Sequence, residues 1–157
     1  MQVKSFAIWA NAEKEKVPVL VQNALQWASE NNINVHLADR LKSISIDGDV
    51  SYFSTQNPPE VDFLLCLGGD GTLISGVRIF SNPSVPVIGV HLGGLGFLAQ
   101  ITPEVLIDKL EAVKSNEFKI QDRLVLSAKI SNNNNSFYAV NDFVVQNETS
   151  YRVTSLS

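Results

Sequence analysis

Short apolar runs that alternate with helix-like stretches place the strongest constraint on the fold of this chain. Residues 61–67 (VDFLLCL) are almost continuously apolar, which is typical of a central parallel strand covered on both faces. Other apolar runs predict strands over residues 4–10, 33–37 and 87–90. Helices are predicted over residues 13–31, 73–80 and 102–114. This order predicts the α/β class, with an open, mostly parallel sheet and flanking helices.

The pattern changes after about residue 115. Residues 118–131 and 136–146 are predicted to form strands joined by a turn at the four asparagines 132–135, and a further strand is predicted over residues 151–156. We therefore expect an α/β domain over residues 1–115 and an incomplete β-rich second domain over residues 116–157. The second domain would lack a partner sheet for its apolar face, so we expect a homo-oligomer.

Composition and charge exclude several classes of function. The chain has 12 basic and 16 acidic residues, a net charge of −4. That balance argues against partners such as nucleic acid or an anionic membrane surface. We expect no transmembrane helix and no signal peptide. The single cysteine, Cys66, is expected to be buried and inert, which suits a reducing cytoplasmic location.

The first candidate site is a glycine cluster that follows the 61–67 strand. Gly68, Gly69 and Gly71 would let backbone N–H groups approach a phosphate and adopt positive φ, and Thr72 could cap the following helix. The amino end of a helix favours anions. The alternative is a tight turn without a ligand. A Gly-Gly-Asp-Gly run between a strand and a helix is rare enough by chance to favour the phosphate site.

Asp70 is the unusual member of this cluster, because it puts a carboxylate where phosphates would bind. Two unit charges 4 Å apart interact by about 4 kcal/mol at an effective dielectric constant of 20. The end of a helix supplies only about 0.3–1 kcal/mol. The helix end therefore cannot offset the repulsion between Asp70 and a phosphate. A divalent cation could offset it, or Asp70 could serve as a proton acceptor, and both features belong to phosphoryl transfer.

A second glycine cluster follows the next predicted strand, at the same edge of the sheet. Gly93, Gly94 and Gly96 would let the chain approach a ligand, and Phe97 offers a flat face to an adenine. His91 lies beside them, although histidine at such a place is more often structural. The two histidines and the cysteine lack the spacing of zinc ligands, so we expect no metal ligand among the site residues.

The order of three segments resembles the motifs of the NAD kinase family. They are residues 68–72 (GGDGT), residues 89–98 (GVHLGGLGFL) and residues 140–142 (VND). The resemblance extends over about residues 5–150. The first motif is shared with diacylglycerol kinases, whereas the Leu-Gly-Phe-Leu sequence within the second is far more specific. Three departures stand out: His91 replaces the commoner asparagine, Asp142 replaces the usual glutamate, and a later Gly-Asp-Gly segment of the second domain is absent.

The resemblance implies that Asp70 orients or deprotonates the 2′-hydroxyl of the adenosine ribose of NAD for attack on ATP. Asn141 and Asp142 would hydrogen-bond the dinucleotide, and Arg123 would brace the domain interface. The full set of implied nucleotide-binding residues is Gly68, Gly69, Gly71, Thr72, His91, Gly93, Gly96, Phe97, Arg123, Asn141 and Asp142.

The function so implied is an ATP-dependent NAD kinase that uses Mg²⁺, with NAD and ATP as its small-molecule partners. Because the chain resembles only the amino-terminal part of the family, we expect the 157-residue polypeptide to have little or no turnover. Two alternatives remain open. One is a nucleotide-binding fragment without catalysis, and the other is a lipid or sugar kinase with the same phosphate loop.

Overall fold

A computed structural model describes residues 3–48, 50–80, 85–94, 96–130, 136–140 and 142–144. The chain divides into two compact units, with the boundary between Ile120 and Gln121. No helix in the described part of the chain is long and apolar enough to cross a membrane.

The first unit is built on a five-stranded sheet in which every paired strand is parallel. Its strands are β1 (Ser5–Ala10), β2 (Asn34–Ala38), β3 (Ser51–Phe53), β4 (Phe63–Gly68) and β5 (Val87–His91). The order across the sheet is β3-β2-β1-β4-β5, which confirms the predicted fold class. After β1 the chain adds β2 and then β3 on one side of β1, and it then adds β4 and β5 on the other side of β1. The direction of winding therefore reverses between β1 and β4. In open α/β sheets, ligands bind at the carboxyl ends of the strands beside such a reversal.

Within the described ranges, three α-helices flank the sheet: α1 (Val17–Glu30), α2 (Asp70–Ile79) and α3 (Leu106–Lys114). The predicted start of α1 at residue 13 is wrong, because residues 13–16 form turns and Pro18 occupies the first helical turn. The start of α3 is also later than predicted. Residues 103–105 form a short 3₁₀ turn, and Thr102 makes no capping hydrogen bond.

The helices cover the two faces of the sheet unequally. On one face α1 and α3 pack over Phe6, Ile8 and Leu65, all of which are fully or almost fully buried. On the other face α2 packs over Leu64 and Cys66. Side chains of β4 therefore point alternately into two apolar layers, which accounts for the continuous apolar run in its sequence.

The second unit contains a two-stranded antiparallel sheet of β6 (Leu126–Lys129) and β7 (Ser136–Ala139). Both strands are shorter than the predicted spans 118–131 and 136–146. Residues 118–125 are not part of a strand, and many apolar side chains nearby are exposed, including Leu124 at 78%. The predicted turn at 132–135 and the predicted strand at 151–156 lie outside the described residues.

Candidate functional site

The structure brings the two glycine clusters of the first unit side by side. Gly68, the last residue of β4, pairs with His91, the last residue of β5. The N–H of Leu92 donates to the Gly68 carbonyl at 2.7 Å, so the two loops remain joined beyond the strand ends. Both clusters therefore lie at the carboxyl edge of the sheet, as the sequence predicts.

Asp70 connects the two loops through its side chain. It is the first residue of α2, and its carboxylate accepts three backbone N–H groups from the second loop. Oδ1 accepts from Leu98 at 3.1 Å and from Ala99 at 3.0 Å, and Oδ2 accepts from Phe97 at 2.9 Å. These three hydrogen bonds hold the pKa of Asp70 below its usual value, and the bond from Ala99 lowers it most. Partial burial of the carboxylate acts in the opposite direction and raises the pKa.

The glycines permit close packing rather than positive φ. Among the described glycines a positive φ occurs at Gly48, outside both clusters, so the predicted positive φ at the first cluster is wrong. A Cβ at Gly68 would overlap the Thr72 side chain, and a Cβ at Gly96 would overlap the Asp70 carboxylate. Thr72 is not the helix cap, because α2 already begins at Asp70 and an extended Gly69 precedes it.

Other parts of the loops are open. A Cβ at Gly69, Gly71 or Gly93 would meet no atom within 4 Å, so these backbone segments can be approached from outside. The Phe97 side chain is 90% exposed, although its N–H is held by Asp70. An aromatic face is thus available to a ligand at a fixed place on the loop.

His91 is half-buried beside the first glycine cluster. Its Nδ1 lies 3.3 Å from the Gly93 carbonyl, which fits the tautomer that carries a proton on Nδ1. Its Nε2 is the buried side-chain polar atom without a hydrogen-bond partner within the described ranges. Side chains alternate between the two faces along a strand, and His91 pairs with Gly68, two residues beyond Cys66 in β4. His91 therefore points to the face of the sheet that α2 covers.

The remaining predicted residues belong to the second unit. Arg123 is exposed, and its Nη2 donates to Oε1 of Gln121 at 3.0 Å. Asp142 is also exposed. Asn141 lies outside the described residues. The roles of these three residues stay predictions.

Arg40 is a candidate that the sequence analysis missed. Neither glycine segment, 68–72 or 89–98, contains a lysine or arginine, so any cationic side chain at this site would come from elsewhere in the chain. Arg40 follows the carboxyl end of β2, and its guanidinium lies 4.7 Å from the centre of the Trp9 ring. The Trp9 indole donates to Ser75 Oγ at 2.9 Å, which donates to the Thr72 carbonyl in α2. Arg40 thus reaches the α2 side of the sheet. The sequence signal that could have identified Arg40 is its position shortly after the predicted strand at residues 33–37.

An open cavity of about 670 Å³ lies at the opposite, amino edge of the sheet. Lys4, Asp62 and Phe80 are among its lining residues. No predicted site residue lines it. The chemistry predicted from the sequence therefore belongs to the open glycine loops and not to this cavity.

Comparison with known proteins identifies a family. The model described as ATP-NAD kinase N-terminal domain matches residues 6–118. A NAD kinase of Syntrophotalea carbinolica is 31% identical over 98% of this chain and 55% of its own length. A NAD kinase of Sulfurimonas denitrificans is 43% identical over 55% of this chain and 31% of its own length.

A solved structure of yeast NADH kinase complexed with NADH is also similar. It has a TM-score of 0.67 and 20% sequence identity, and the match covers 88% of this chain and 46% of the yeast chain. At that identity the likeness shows a shared fold. The present chain spans about half the length of the relatives that it matches, 55% for the Syntrophotalea carbinolica enzyme and 45% for one from Citrifermentans bemidjiense.

Proposed function

This chain belongs to the NAD kinase family, and we propose that its site serves the transfer of the γ-phosphoryl group of ATP to NAD. The acceptor in this proposal is the 2′-hydroxyl of the adenosine ribose. A new bond forms between that oxygen and the γ-phosphorus, the bond to the β-phosphate oxygen breaks, and the products are NADP and ADP. Catalysis of this kind depends chiefly on positioning and on electrostatic stabilisation.

The observation that carries the proposal is the place and orientation of Asp70. Its carboxylate lies on the first residue of α2, at the carboxyl edge of the parallel sheet, between two glycine loops. An ionised carboxylate there can accept a hydrogen bond from a ribose hydroxyl. The exposed ring of Phe97 on the adjoining loop offers a stacking face for the adenine of the same substrate.

The phosphates of ATP would bind to backbone and cationic groups nearby. The open backbone at Gly69 and Gly71 begins α2, whose amino end favours negative charge. Arg40 adds a guanidinium on the same face of the sheet. These groups offset part of the repulsion between the phosphates and Asp70.

Mg²⁺ fits this proposal as a part of the substrate MgATP. Groups of three or more metal-ligating side chains are absent from the part of the chain that the structure describes. Mg²⁺ is ordinarily held by one or two carboxylates together with substrate phosphates and water. In this proposal the free acceptor position of Asp70 receives the hydroxyl, so Mg²⁺ would be held by the phosphates of ATP and by water, and it would neutralise part of the phosphate charge.

The location and the assembly are further parts of the proposal. A cytoplasmic location is supported by the buried, unpaired thiol of Cys66, which a reducing compartment leaves unchanged. Self-association is supported by the exposed apolar side chains of the second unit, among them Leu124 and Val144 at 78% and 76% exposure.

The test is a substrate panel on the purified 157-residue chain. MgATP is offered with NAD, diacylglycerol or fructose 6-phosphate, and products are identified by mass spectrometry. We expect calorimetric binding of NAD and slow formation of NADP alone among the three products. Phosphorylation of the lipid or the sugar in preference to NAD would refute the proposed acceptor. Because little or no turnover is expected from the 157-residue chain, binding of NAD without product would favour the alternative of a nucleotide-binding fragment only if a chain extended to the length of its relatives also gave none.

A further inference from the structure

The contact between Asp70 and residues 97–99 has a role of its own. We infer that Asp70 is a positioning residue for the second glycine loop, and that Gly96 keeps open the space in which its carboxylate lies. The two residues act as one device, which we call the carboxylate clasp: Asp70, Gly96 and the N–H groups of residues 97–99. The effect of the clasp on substrate binding rests on the proposed function, whereas its existence does not.

The hydrogen-bond inventory of Asp70 shows what the clasp leaves free. An ionised carboxylate has about four acceptor positions. Oδ1 accepts from both Leu98 and Ala99, and Oδ2 accepts from Phe97 alone. One position therefore remains, on Oδ2. A hydroxyl bound to Asp70 would have to approach that single oxygen, so the clasp fixes the direction of approach as well as the loop.

Gly96 is required by the position of the carboxylate. An added Cβ there would stand 2.8 Å from Cγ of Asp70 and would overlap Oδ1. The acid is held by three N–H groups, and Oδ1, the atom nearest to the added Cβ, accepts two of them, so the carboxylate could move away from a methyl group only by weakening those bonds. Gly94, two residues earlier in the same loop, has no atom within 4 Å of an added Cβ. The two glycines thus provide a matched pair for one substitution.

The clasp also links the acid to the aromatic side chain. The backbone N–H of Phe97 is fixed by Asp70 while the ring is 90% exposed. A ring presented on a fixed backbone loses less conformational freedom when a planar ligand covers it. Loss of the clasp should therefore weaken NAD binding even where the acid itself makes no contact with the adenine.

A second aspartate supplies a control. Oδ2 of Asp62 accepts the N–H groups of Lys4 at 2.7 Å and Ser5 at 2.9 Å, at the opposite edge of the same sheet. Asp62→Asn makes the same chemical change as Asp70→Asn, away from the glycine loops. It tests whether an effect at residues 97–99 is local.

The experiment measures amide hydrogen exchange by NMR in the 157-residue chain. In Asp70→Asn and in Gly96→Ala we expect the amides of residues 97–99 to exchange about 10- to 100-fold faster, as the loss of hydrogen bonds to a charged group predicts. Asn offers only one acceptor oxygen to three donors. Asp62→Asn keeps one oxygen that can accept from both Lys4 and Ser5, so it should leave the exchange of residues 97–99 within about twofold of the parent chain. Gly94→Ala should leave residues 97–99 within about twofold of the parent chain.

The parent chain gives a second measurement that needs no variant. Between about pH 2 and pH 6, the three amide signals of residues 97–99 should shift together as one carboxyl group titrates, with a pKa below the usual value for aspartate. Unchanged exchange in both Asp70→Asn and Gly96→Ala, or amide signals that do not follow a carboxyl titration, would overturn the inference. Calorimetry with NAD as the probe is a separate readout. If the exchange results hold and the parent chain does not bind NAD, the clasp stands and the proposed function fails.

Discussion

Helix α2 carries Asp70, and it packs against the sheet at Gly76, where no side chain separates the helix from the strands. A Cβ at Gly76 would stand 2.9 Å from Sγ of Cys66, 3.0 Å from Cδ1 of Trp9 and 3.2 Å from Cδ2 of Leu64. Carbon atoms in good contact lie about 3.5–4.0 Å apart. The substitution Gly76→Ala would therefore force α2 away from the sheet by roughly half an ångström or more.

Two opposing terms decide the sign of the effect on stability. Alanine gains about 0.8–1.0 kcal/mol over glycine in the interior of a helix. Overpacking of a well-packed core costs about 1–3 kcal/mol. The neighbours of Gly76 include a large indole ring that is tied to Ser75 by a hydrogen bond of 2.9 Å, so it cannot easily move aside. We expect the packing cost to exceed the helical gain, with a net loss of about 1 kcal/mol.

Gly71→Ala is the matched control, because Gly71 lies in the same helix and has no atom within 4 Å of an added Cβ. Because Gly71 is the second residue of α2, the free energy of unfolding of this variant should equal that of the parent chain or rise by less than the gain of about 0.8–1.0 kcal/mol that alanine has in a helix interior. A double variant with Cys66→Ala removes the sulfur nearest to the new methyl group. In urea unfolding, Gly76→Ala should then cost less in the Cys66→Ala background than in the parent chain. Equal costs in the two backgrounds, or a Gly76→Ala chain more stable than the parent, would refute this account of the packing.

Three further outcomes follow from contacts in the first unit. Glu111→Ala should lower the free energy of unfolding by about 1 kcal/mol, because Trp27 donates to Glu111 at 2.6 Å; Glu111→Gln, which keeps an acceptor, should lower it less in the same urea titration. Burial raises the pKa of the Cys66 thiol, so its reaction with a disulfide reagent should be slow in buffer and fast in urea. The pKa of Asp70 is lower in the native state than in the unfolded state, so its contribution to stability is complete above about pH 4 and is lost as the pH falls further. The stability difference between the parent chain and Asp70→Asn should therefore shrink on acidification.

The parts of the fold that the sequence predicts well are those with strong local patterns. Residues 63–68 form a strand buried on both faces, as their apolar run indicates. The three-residue strand at Ser51–Phe53 was missed, because so short an edge strand leaves no alternation to detect. The start of α2 was placed three residues too late. Glycines usually interrupt helices, and only the tertiary structure shows that a single extended residue, Gly69, separates the strand from the helix.

The candidate site shows the same division. The residue types of the site could be predicted, because glycines and an aspartate between a strand and a helix have few uses other than binding a ligand. Its internal geometry could not. Asp70 and Ala99 are 29 residues apart, and their hydrogen bond depends on β5 lying beside β4. Arg40 was missed for a similar reason, since its stacking on Trp9 joins the turn after β2 to β1 through side chains alone.

The geometry of Asp70 also bears on what a carboxylate can contribute to phosphoryl transfer. A general base works best when its pKa lies near the working pH, and the three N–H donors move the pKa of Asp70 the other way. General base catalysis contributes about 10²- to 10⁴-fold in favourable cases. Correct placement of two reactants can contribute about 7–11 kcal/mol, which is a larger factor. The three hydrogen bonds that weaken Asp70 as a base also fix the orientation of its carboxylate. They therefore reduce the contribution of general base catalysis, which is the smaller, and strengthen the contribution of positioning, which is the larger. In the proposed reaction the acid would therefore chiefly hold the ribose hydroxyl in line for attack, and the hydroxyl proton would pass to a phosphate oxygen or to water as the new bond forms.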